Sequence, residues 1–262
     1  MGAVREIMLN IMLSGCCGSM GRAVTAFADS RDDIKITAGI DREGRECKFP
    51  TFVSPFSFNG KVDVIIDFSS PAALPGLLEY AVSAKTPAVI ATTGLSEAHI
   101  ALIYKAAKEI PIFFSANMSL GINLLCELAK TAARVLGGTY DIEIVETHHA
   151  QKTDAPSGTA LMLADAISSE LERKPYYEYD RHLRRTKRPH DEIGIHSIRG
   201  GTAVGEHEII FAGYNETIKL SHCVQSKELF AAGAVNAAKF IQNKEPGLYG
   251  MSDMIDRKDA KK

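Results

Sequence analysis

Residues 7–14, IMLNIMLS, form a nearly continuous apolar run that breaks into Gly15-Cys16-Cys17-Gly18-Ser19-Met20-Gly21-Arg22 and then an amphipathic segment reaching about Asp29. No other stretch constrains the fold as much. A strand that turns tightly through glycines into a helix is the opening of a βαβ unit and needs a parallel partner strand. The glycine spacing, GxxGxxG, is a variant of the dinucleotide fingerprint, in which glycines allow the turn and a close backbone approach to a pyrophosphate at the helix start. A second apolar run over 34–40 ends in Asp41, at about the distance from the last glycine where an acid meets an adenosine ribose. The glycine loop with Asp41 is therefore a candidate nucleotide site, with a purely structural turn as the alternative. Arg42 follows Asp41 directly. The acid suits a ribose 2′-hydroxyl and the guanidinium a 2′-phosphate, so use of both NADH and NADPH is expected unless Arg42 is only a solvated charge.

Three more strand-like runs, over 62–68, 88–92 and 112–115, alternate with helical patterns over 71–85 and 96–108. Such alternation predicts an α/β fold, a Rossmann-like doubly wound parallel sheet. Ligands of these sheets bind beyond the carboxyl ends of the strands. The small polar tails of the later runs, Ser69-Ser70, Ala91-Thr92-Thr93-Gly94 and Ser115-Ala116-Asn117-Met118, are placed to line a cofactor, although each by itself is only a turn.

A long helical stretch over 122–136 and the Gly137-Gly138 break lead to a half-buried strand and then to the segment EIVETHHAQKTDAPSGTA, residues 143–160. His148 and His149 stand at the strand's end, Lys152 follows, and Ser157 is a candidate N-cap for the next helix. An imidazole transfers protons near neutral pH, and an ammonium group attracts anions. Unpaired N–H groups at a helix start favour negative charge, so Gly158 and Thr159 are candidate holders of a carboxylate or phosphate. A His-His pair also occurs for purely structural reasons. His148, His149 and Asp154 could ligate zinc, but no HExxH or CxxC companion spacing is present, so no metal is expected.

The basic run over 181–188 resembles a phosphate or nucleic-acid patch out of context, yet poor aromatic interleaving makes a solvated, mobile loop the expectation. Three antiparallel strands are expected over 192–199, 205–212 and 216–222, with turns at Gly200-Gly201 and Gly213-Tyr214-Asn215. An alanine-rich helix over 228–241 and a fraying charged tail close the chain. Net charge is −2, so no global field recruits nucleic acid or a membrane surface, and no stretch approaches the ~20 apolar residues of a membrane span. The first residues differ from a signal peptide in their short, interrupted apolar run. Glu6 stands where a myristoylation start wants Ser or Thr. Five cysteines, Cys16, Cys17, Cys47, Cys126 and Cys223, form an odd, scattered set without metal spacing, the pattern of reduced thiols in the cytoplasm.

These residues resemble the dihydrodipicolinate reductase family, also called 4-hydroxy-tetrahydrodipicolinate reductases, over nearly the whole chain. Most specific is Glu146-Thr147-His148-His149 with Lys152 and Asp154-Ala155-Pro156-Ser157-Gly158-Thr159-Ala160. Supporting matches are Asp41-Arg42-Glu43-Gly44, Thr92-Thr93-Gly94, Ser115-Ala116-Asn117-Met118-Ser119, Ser197-Ile198-Arg199-Gly200-Gly201 and Val204-Gly205-Glu206-His207. The resemblance implies reduction of an unsaturated cyclic dicarboxylate by NADPH or NADH, with loss of a hydroxyl as water. It makes His148 the proton donor or acceptor and Lys152 a second donor, with His149, Gly158 and Thr159 binding substrate carboxylates. It assigns cofactor contacts to residues 15–20, Asp41, Arg42, Ala91, Thr92, Thr93, Ser115, Ala116, Asn117 and Met118. It also implies a homotetramer formed through the second sheet. The chain departs from the family's pattern at Ala91, Cys16, Cys17, Asp41 and Lys227, none of them in the catalytic segment. The expected organisation is a dinucleotide domain of residues 1–119 plus 227–262, and an inserted α+β substrate and oligomerisation domain of 120–226 on a mainly antiparallel sheet. Another nicotinamide-dependent dehydrogenase of a small acid, or a nucleotide-sensing protein without turnover, remains the alternative.

Overall fold

The computed structural model describes residues 8–42, 47–182 and 184–255. The Met1-Gly2 start and Glu6, the Glu43-Gly44 pair, Leu183 and the charged tail lie outside the described residues. The chain divides into two compact units, Met1–Met118 with Lys227–Lys262, and Ser119–Ser226.

The first unit opens with β1 (Leu9–Ser14), α1 (Ser19–Asp29), β2 (Ile34–Ile40), β3 (Thr51–Phe52), a 3₁₀ turn at Pro55–Ser57 and β4 (Val64–Asp67). It continues with α2 (Leu74–Ser83), β5 (Ala88–Ile90), α3 (Glu97–Ala106) and β6 (Pro111–Phe114). The second unit holds α4 (Leu120–Leu136), β7 (Asp141–His148), α5 (Gly158–Ser168), β8 (Tyr176–Glu178), β9 (Glu192–Arg199), β10 (Gly205–Gly213) and β11 (Glu216–Val224). The chain then supplies α6 (Glu228–Ile241), β12 (Gly247–Tyr249) and α7 (Met251–Ile255) to the first unit.

Strands of the first unit form one sheet in the order β12-β6-β5-β4-β1-β2-β3. Every pairing in it is parallel. Both faces are covered, which explains why the strands read as continuous apolar runs and not as alternation. Leu9, Ile11 and Leu13 of β1 pack with Val24 and Ala28 of α1 and Ala234 and Val235 of α6. Met12 points the other way, into the layer of Leu77 and Leu78 of α2 and Ile103 of α3. Strand order reverses at β1, whose neighbours are β2 on one side and β4 on the other. That switch point fixes where a ligand of such a sheet can sit. The two- and three-residue edge strands β3 and β12 carry too short a pattern to be seen in sequence.

The second sheet has the order β11-β10-β7-β9-β8 and is mixed. β10 pairs antiparallel with β11 and β7, whereas β9 is parallel to β7 and β8. This corrects the expectation of three consecutive antiparallel strands. Residues 200–203 do not make a hairpin but cross the end of β7: Gly200 N–H donates to the His148 carbonyl at 3.0 Å and His149 N–H to the Ala203 carbonyl at 2.8 Å. The crossing inserts β7 between β9 and β10. One face of the sheet is covered by α4 and α5 through Ile142, Ile144, Ile195, Ile209 and Phe211.

The basic run is also not a free solvated loop. Arg181 pairs with Glu192 at 2.5 Å, Arg184 with Glu178, and Arg188 with Asp141 at 2.8 Å and Glu143 at 3.0 Å. Its charges tie the end of the loop to β7 and β9. Among the described residues no helix is long and apolar enough to cross a membrane.

Helix α6 lies so close to the end of the β6 connection that a Cβ on Gly233 would meet the Met118 carbonyl oxygen at 1.8 Å. Gly233→Ala should therefore lose about 1–3 kcal/mol, because a backbone oxygen cannot swing aside. Gly76→Ala in α2, where a Cβ meets nothing within 4 Å, should be neutral or gain up to ~1 kcal/mol from helix propensity. Urea unfolding of both variants checks the contrast, and equal midpoints would refute it.

Candidate active site

In the second unit the alternation of β7 puts Ile142, Ile144, Glu146 and His148 on one buried face. The first two residues are core, and the last two extend the same face into polar chemistry. Glu146 has a fully buried side chain, and each of its oxygens takes at least two hydrogen bonds. Oε1 accepts from Arg199 Nη2 at 2.7 Å and from Ser157 N–H at 3.1 Å. Oε2 accepts from Arg199 Nη1 at 2.8 Å and meets His148 Nδ1 at 2.6 Å. Burial opposes ionisation, but the bonds from Arg199, Ser197, His148 and Ser157 outweigh it and hold the carboxyl down at about 2. An ionised Glu146 keeps a proton on Nδ1 of His148, so Nε2 is the atom left for exchange. It faces Gly205, where a Cβ would stand 3.0 Å from Nε2.

Lys152 joins the same network. Its Nζ lies 2.8 Å from Asp154 Oδ1, and the Asp154 carbonyl accepts from Arg199 Nη2 at 2.7 Å. The Lys152 hydrogen bond in turn lowers the Asp154 carboxyl. Ser157 caps α5, its Oγ accepting from Ala160 N–H at 3.1 Å, so Gly158 and Thr159 are the first two helical residues. His149 follows β7 directly and is anchored by its backbone. The structure thus brings His148, Lys152 and the α5 start together around Glu146 and Arg199.

Sequence reasoning did not assign three of these neighbours. Arg199 and Glu146 lie 53 residues apart and meet because β7 and β9 pair with His148 opposite Arg199. His207, opposite Glu146 on β10, has Nε2 at 2.9 Å from Ser157 Oγ and its ring 5.2 Å from that of His148. Burial, with the nearby His148, pushes His207 down to about 4, and its Nδ1 is buried without a partner. Only strand pairing reveals it. Their presence in distinctive sequence segments was the one available signal.

In the first unit, Gly15 adopts φ +76°, and a Cβ there would meet the Phe68 carbonyl oxygen at 2.5 Å. A Cβ on Gly21 would meet the Gly15 oxygen at 2.3 Å, so the loop closes tightly over the sheet edge. No side chain caps α1, whose N-cap is Gly18, and an uncapped helix start of this kind favours an anion. Cys17 N–H donates to Asp41 Oδ2 at 3.1 Å, which sets that acid beside the loop. Thr92 donates to buried Asp67 at 2.7 Å, and Ala91 N–H to the Asp67 carbonyl at 2.9 Å. Ser115 and Asn117 stabilise each other's turn through Ser115 Oγ. Thr93 is exposed, as is Arg42, and Met118 is buried. The loop is thus tight and backbone-lined, as a dinucleotide-binding turn requires.

One sequence expectation fails here. Cys16, Cys17 and Cys47 are not scattered but have their sulfurs within 4.8 Å of one another at the base of this loop. The 30-position separation of Cys17 and Cys47 hid the cluster, because Cys47, well beyond β2, returns to the loop after β1.

A Rossmann-like unit combined with a second, mixed-sheet unit is the architecture of a dinucleotide-dependent oxidoreductase. The chain's two halves match the models for dihydrodipicolinate reductase, N-terminus, over residues 9–118 and dihydrodipicolinate reductase, C-terminus, over residues 121–255. A 4-hydroxy-tetrahydrodipicolinate reductase of Caldanaerobacter subterraneus subsp. tengcongensis is 49% identical over 96% of this chain and 100% of its own length. One of Clostridium botulinum is 47% identical over 95% of this chain and 98% of its own. The solved dipicolinate-bound dihydrodipicolinate reductase of Paenisporosarcina sp. TG-14 superposes with a TM-score of 0.78 at 22% identity, covering 95% of this chain and 100% of that one. The chain belongs to the dihydrodipicolinate reductase family, and it is an NAD(P)H-dependent oxidoreductase.

The two shifted groups predict separable acid transitions. His207 is lowered in the fold, so the unfolded chain binds the extra proton, and stability present above about 6.5 is lost as pH falls towards about 4. Glu146 is lowered from 4.5, so its contribution is lost only between about 4.5 and about 2. His207→Gln should flatten the loss of the urea midpoint across pH 6.5–4 and leave the steeper fall below pH 4.5 in place. A variant with the wild-type slope in the upper window would assign it elsewhere.

Proposed function

We propose that the second unit holds and protonates a cyclic dicarboxylate while the cradle of the first holds the nicotinamide dinucleotide. The reaction is reduction of 4-hydroxy-tetrahydrodipicolinate to tetrahydrodipicolinate with loss of water, in the diaminopimelate route to lysine. The observation that carries this reading is His148, fixed through Nδ1 by a buried, ionised Glu146 beside the start of α5. The bound dinucleotide, NADPH or NADH, supplies a hydride, and the electron density this leaves on the ring calls for a proton. His148 delivers or accepts that proton at Nε2. Glu146 stabilises the charged imidazole and sets its orientation, a contribution of the order of 10²–10⁴ for a positioned acid. Lys152 is the second proton donor, steered by Asp154. The amide of Gly158, the hydroxyl and amide of Thr159 and the ring of His149 hold the carboxylates, which charge and orient the substrate for transfer. That a relative binds dipicolinate, itself a cyclic dicarboxylate, supports this chemistry.

In the first unit Gly15 through Met20 receive the pyrophosphate, Asp41 and Arg42 the adenosine ribose, and Ala91–Thr93 with Ser115–Met118 line the cradle's wall. Asp41 with Arg42 lets both NADH and NADPH bind. We further infer that the protein works in the cytoplasm as a homotetramer assembled through the second sheet. Ile198, 51% exposed beside Thr147 on the face of that sheet turned away from α4 and α5, supports such an assembly.

The test is dinucleotide oxidation by purified protein, with substrate generated in situ from pyruvate and aspartate semialdehyde by the preceding synthase. His148→Gln should lower kcat at least ~100-fold, and adding Lys152→Ala should lower it further, with the dinucleotide Kd unchanged within about twofold. Absence of turnover by folded wild type with either dinucleotide would favour another dehydrogenase or a nucleotide sensor. An NADPH preference above ~100-fold in kcat/KM would remove the dual-cofactor part of the reading.

A further inference from the structure

The sulfurs of Cys16, Cys17 and Cys47 form a near-equilateral triangle, with edges of 3.9 Å (Cys16–Cys17), 3.7 Å (Cys17–Cys47) and 4.0 Å (Cys16–Cys47). A triangle with those edges has its centre about 2.2 Å from each corner, close to the ~2.3 Å of a zinc–thiolate bond. A disulfide needs its sulfurs at about 2.05 Å, which none of the three pairs approaches, and none of the five cysteines is disulfide-bonded. Cys16 is buried and wedged against β2, where a Cβ on Gly39 would meet its sulfur at 2.7 Å. Cys17 and Cys47 are half-buried, so the triangle is fixed on one side and reachable on the other. Burial also pushes the Cys16 and Cys17 thiols up, which slows their reaction with oxidants.

We propose that Cys16, Cys17 and Cys47 form a three-thiolate site for a soft closed-shell cation, Zn²⁺ or Cu⁺, and that its occupancy weakens binding of the nicotinamide dinucleotide. Soft thiolates select these ions, Cu⁺ in three-coordination and Zn²⁺ with a solvent oxygen as fourth ligand. Binding exchanges three S–H bonds for three S–metal bonds and sends three protons to solvent, with no change of oxidation state. Three thiolates around Zn²⁺ leave a net charge of −1, and around Cu⁺ one of −2. That charge sits inside the loop whose amides attract the pyrophosphate, so the two anionic groups oppose each other. The ion would also tie the loop after β1 to the loop after β2, which carries Asp41. The antagonism rests on the proposed cofactor role of the loop, whereas the ion site does not.

The experiment uses full-length protein, reduced and stripped by chelator under argon. It is titrated with Zn²⁺ and with Cu⁺ against chromophoric chelators, and with Co²⁺ as a spectroscopic probe for thiolate ligation. Ion content is read by plasma mass spectrometry, and NADPH affinity by fluorescence on stripped and loaded forms. Expected are one ion per chain, a thiolate–cobalt charge-transfer band, and a loss of ion affinity of at least ~100-fold in Cys47→Ala. Loading should raise the NADPH Kd at least ~fivefold in wild type and less than ~twofold in Cys47→Ala, whose stripped form should bind NADPH normally. Cys47→Ser is run in parallel, since it keeps the side chain's size and removes the soft ligand. Equal ion affinity in wild type and both variants, or negligible ion content with every ion, overturns the site. Ion binding without effect on NADPH overturns the antagonism. Stripped wild type that binds no NADPH overturns the cofactor reading and the antagonism with it, while the ion content still judges the site by itself.

Discussion

A single buried carboxylate organises the second unit. Removing a carboxylate from water costs several kcal/mol unless its oxygens are satisfied, and Glu146 is satisfied on both. Its partners come from a different strand (Arg199), from the start of α5 (Ser157) and from its own strand two residues on (His148). The pairing of β7 with β9, the seating of α5 and the tautomer of the central histidine are thus consequences of one group's demand for donors. A crossover over the end of β7 by residues 200–203 completes the enclosure, and it explains why the sheet is mixed.

The first unit offers an instructive contrast. Asp67, at the end of β4, is also fully buried, yet burial raises it, against the lowering pull of its hydrogen bonds from Ser69, Thr92 and Ser14. The difference is the partner: Glu146 has a guanidinium in bidentate contact, whereas the groups on Asp67 are neutral donors. The charged carboxylate is kept where it meets an imidazole, at His148 Nδ1. At the glycine loop, by contrast, α1 begins without a side-chain cap, and a helix start of that kind favours an anion, which a permanently buried negative charge nearby would oppose. The same electrostatic logic gives the thiol triangle its interest, since ionising it places negative charge within that loop.

Conformation at the cradle is set by sterics more than by charge. Gly15 lies in the left-handed region with a carbonyl pressed against its Cα, and Gly21 lets the first turn of α1 pass over Gly15. Cys16 and Cys17 fit between them because their positions ask only for ordinary backbone angles.

By itself the sequence determined what local pattern can carry. The strand–glycine–helix opening, the βα alternation, Asp41 after β2, Ser157 at the start of α5 and the two histidines at the end of β7 were all legible, because each depends on neighbours a few residues away. Helix α6 and strand β9 fell at their expected bounds for the same reason. Only the tertiary structure decided what depends on pairing across distance. Register put Arg199 beside His148 and His207 opposite Glu146, loop packing gathered Cys16, Cys17 and Cys47, and ion pairs to β7 and β9 anchored a basic run that looked solvated. A connection that steps over an intervening strand looks like a hairpin turn in sequence, since both can use the same glycines, and the choice between them is made by whether a third strand, here β7, lies in between.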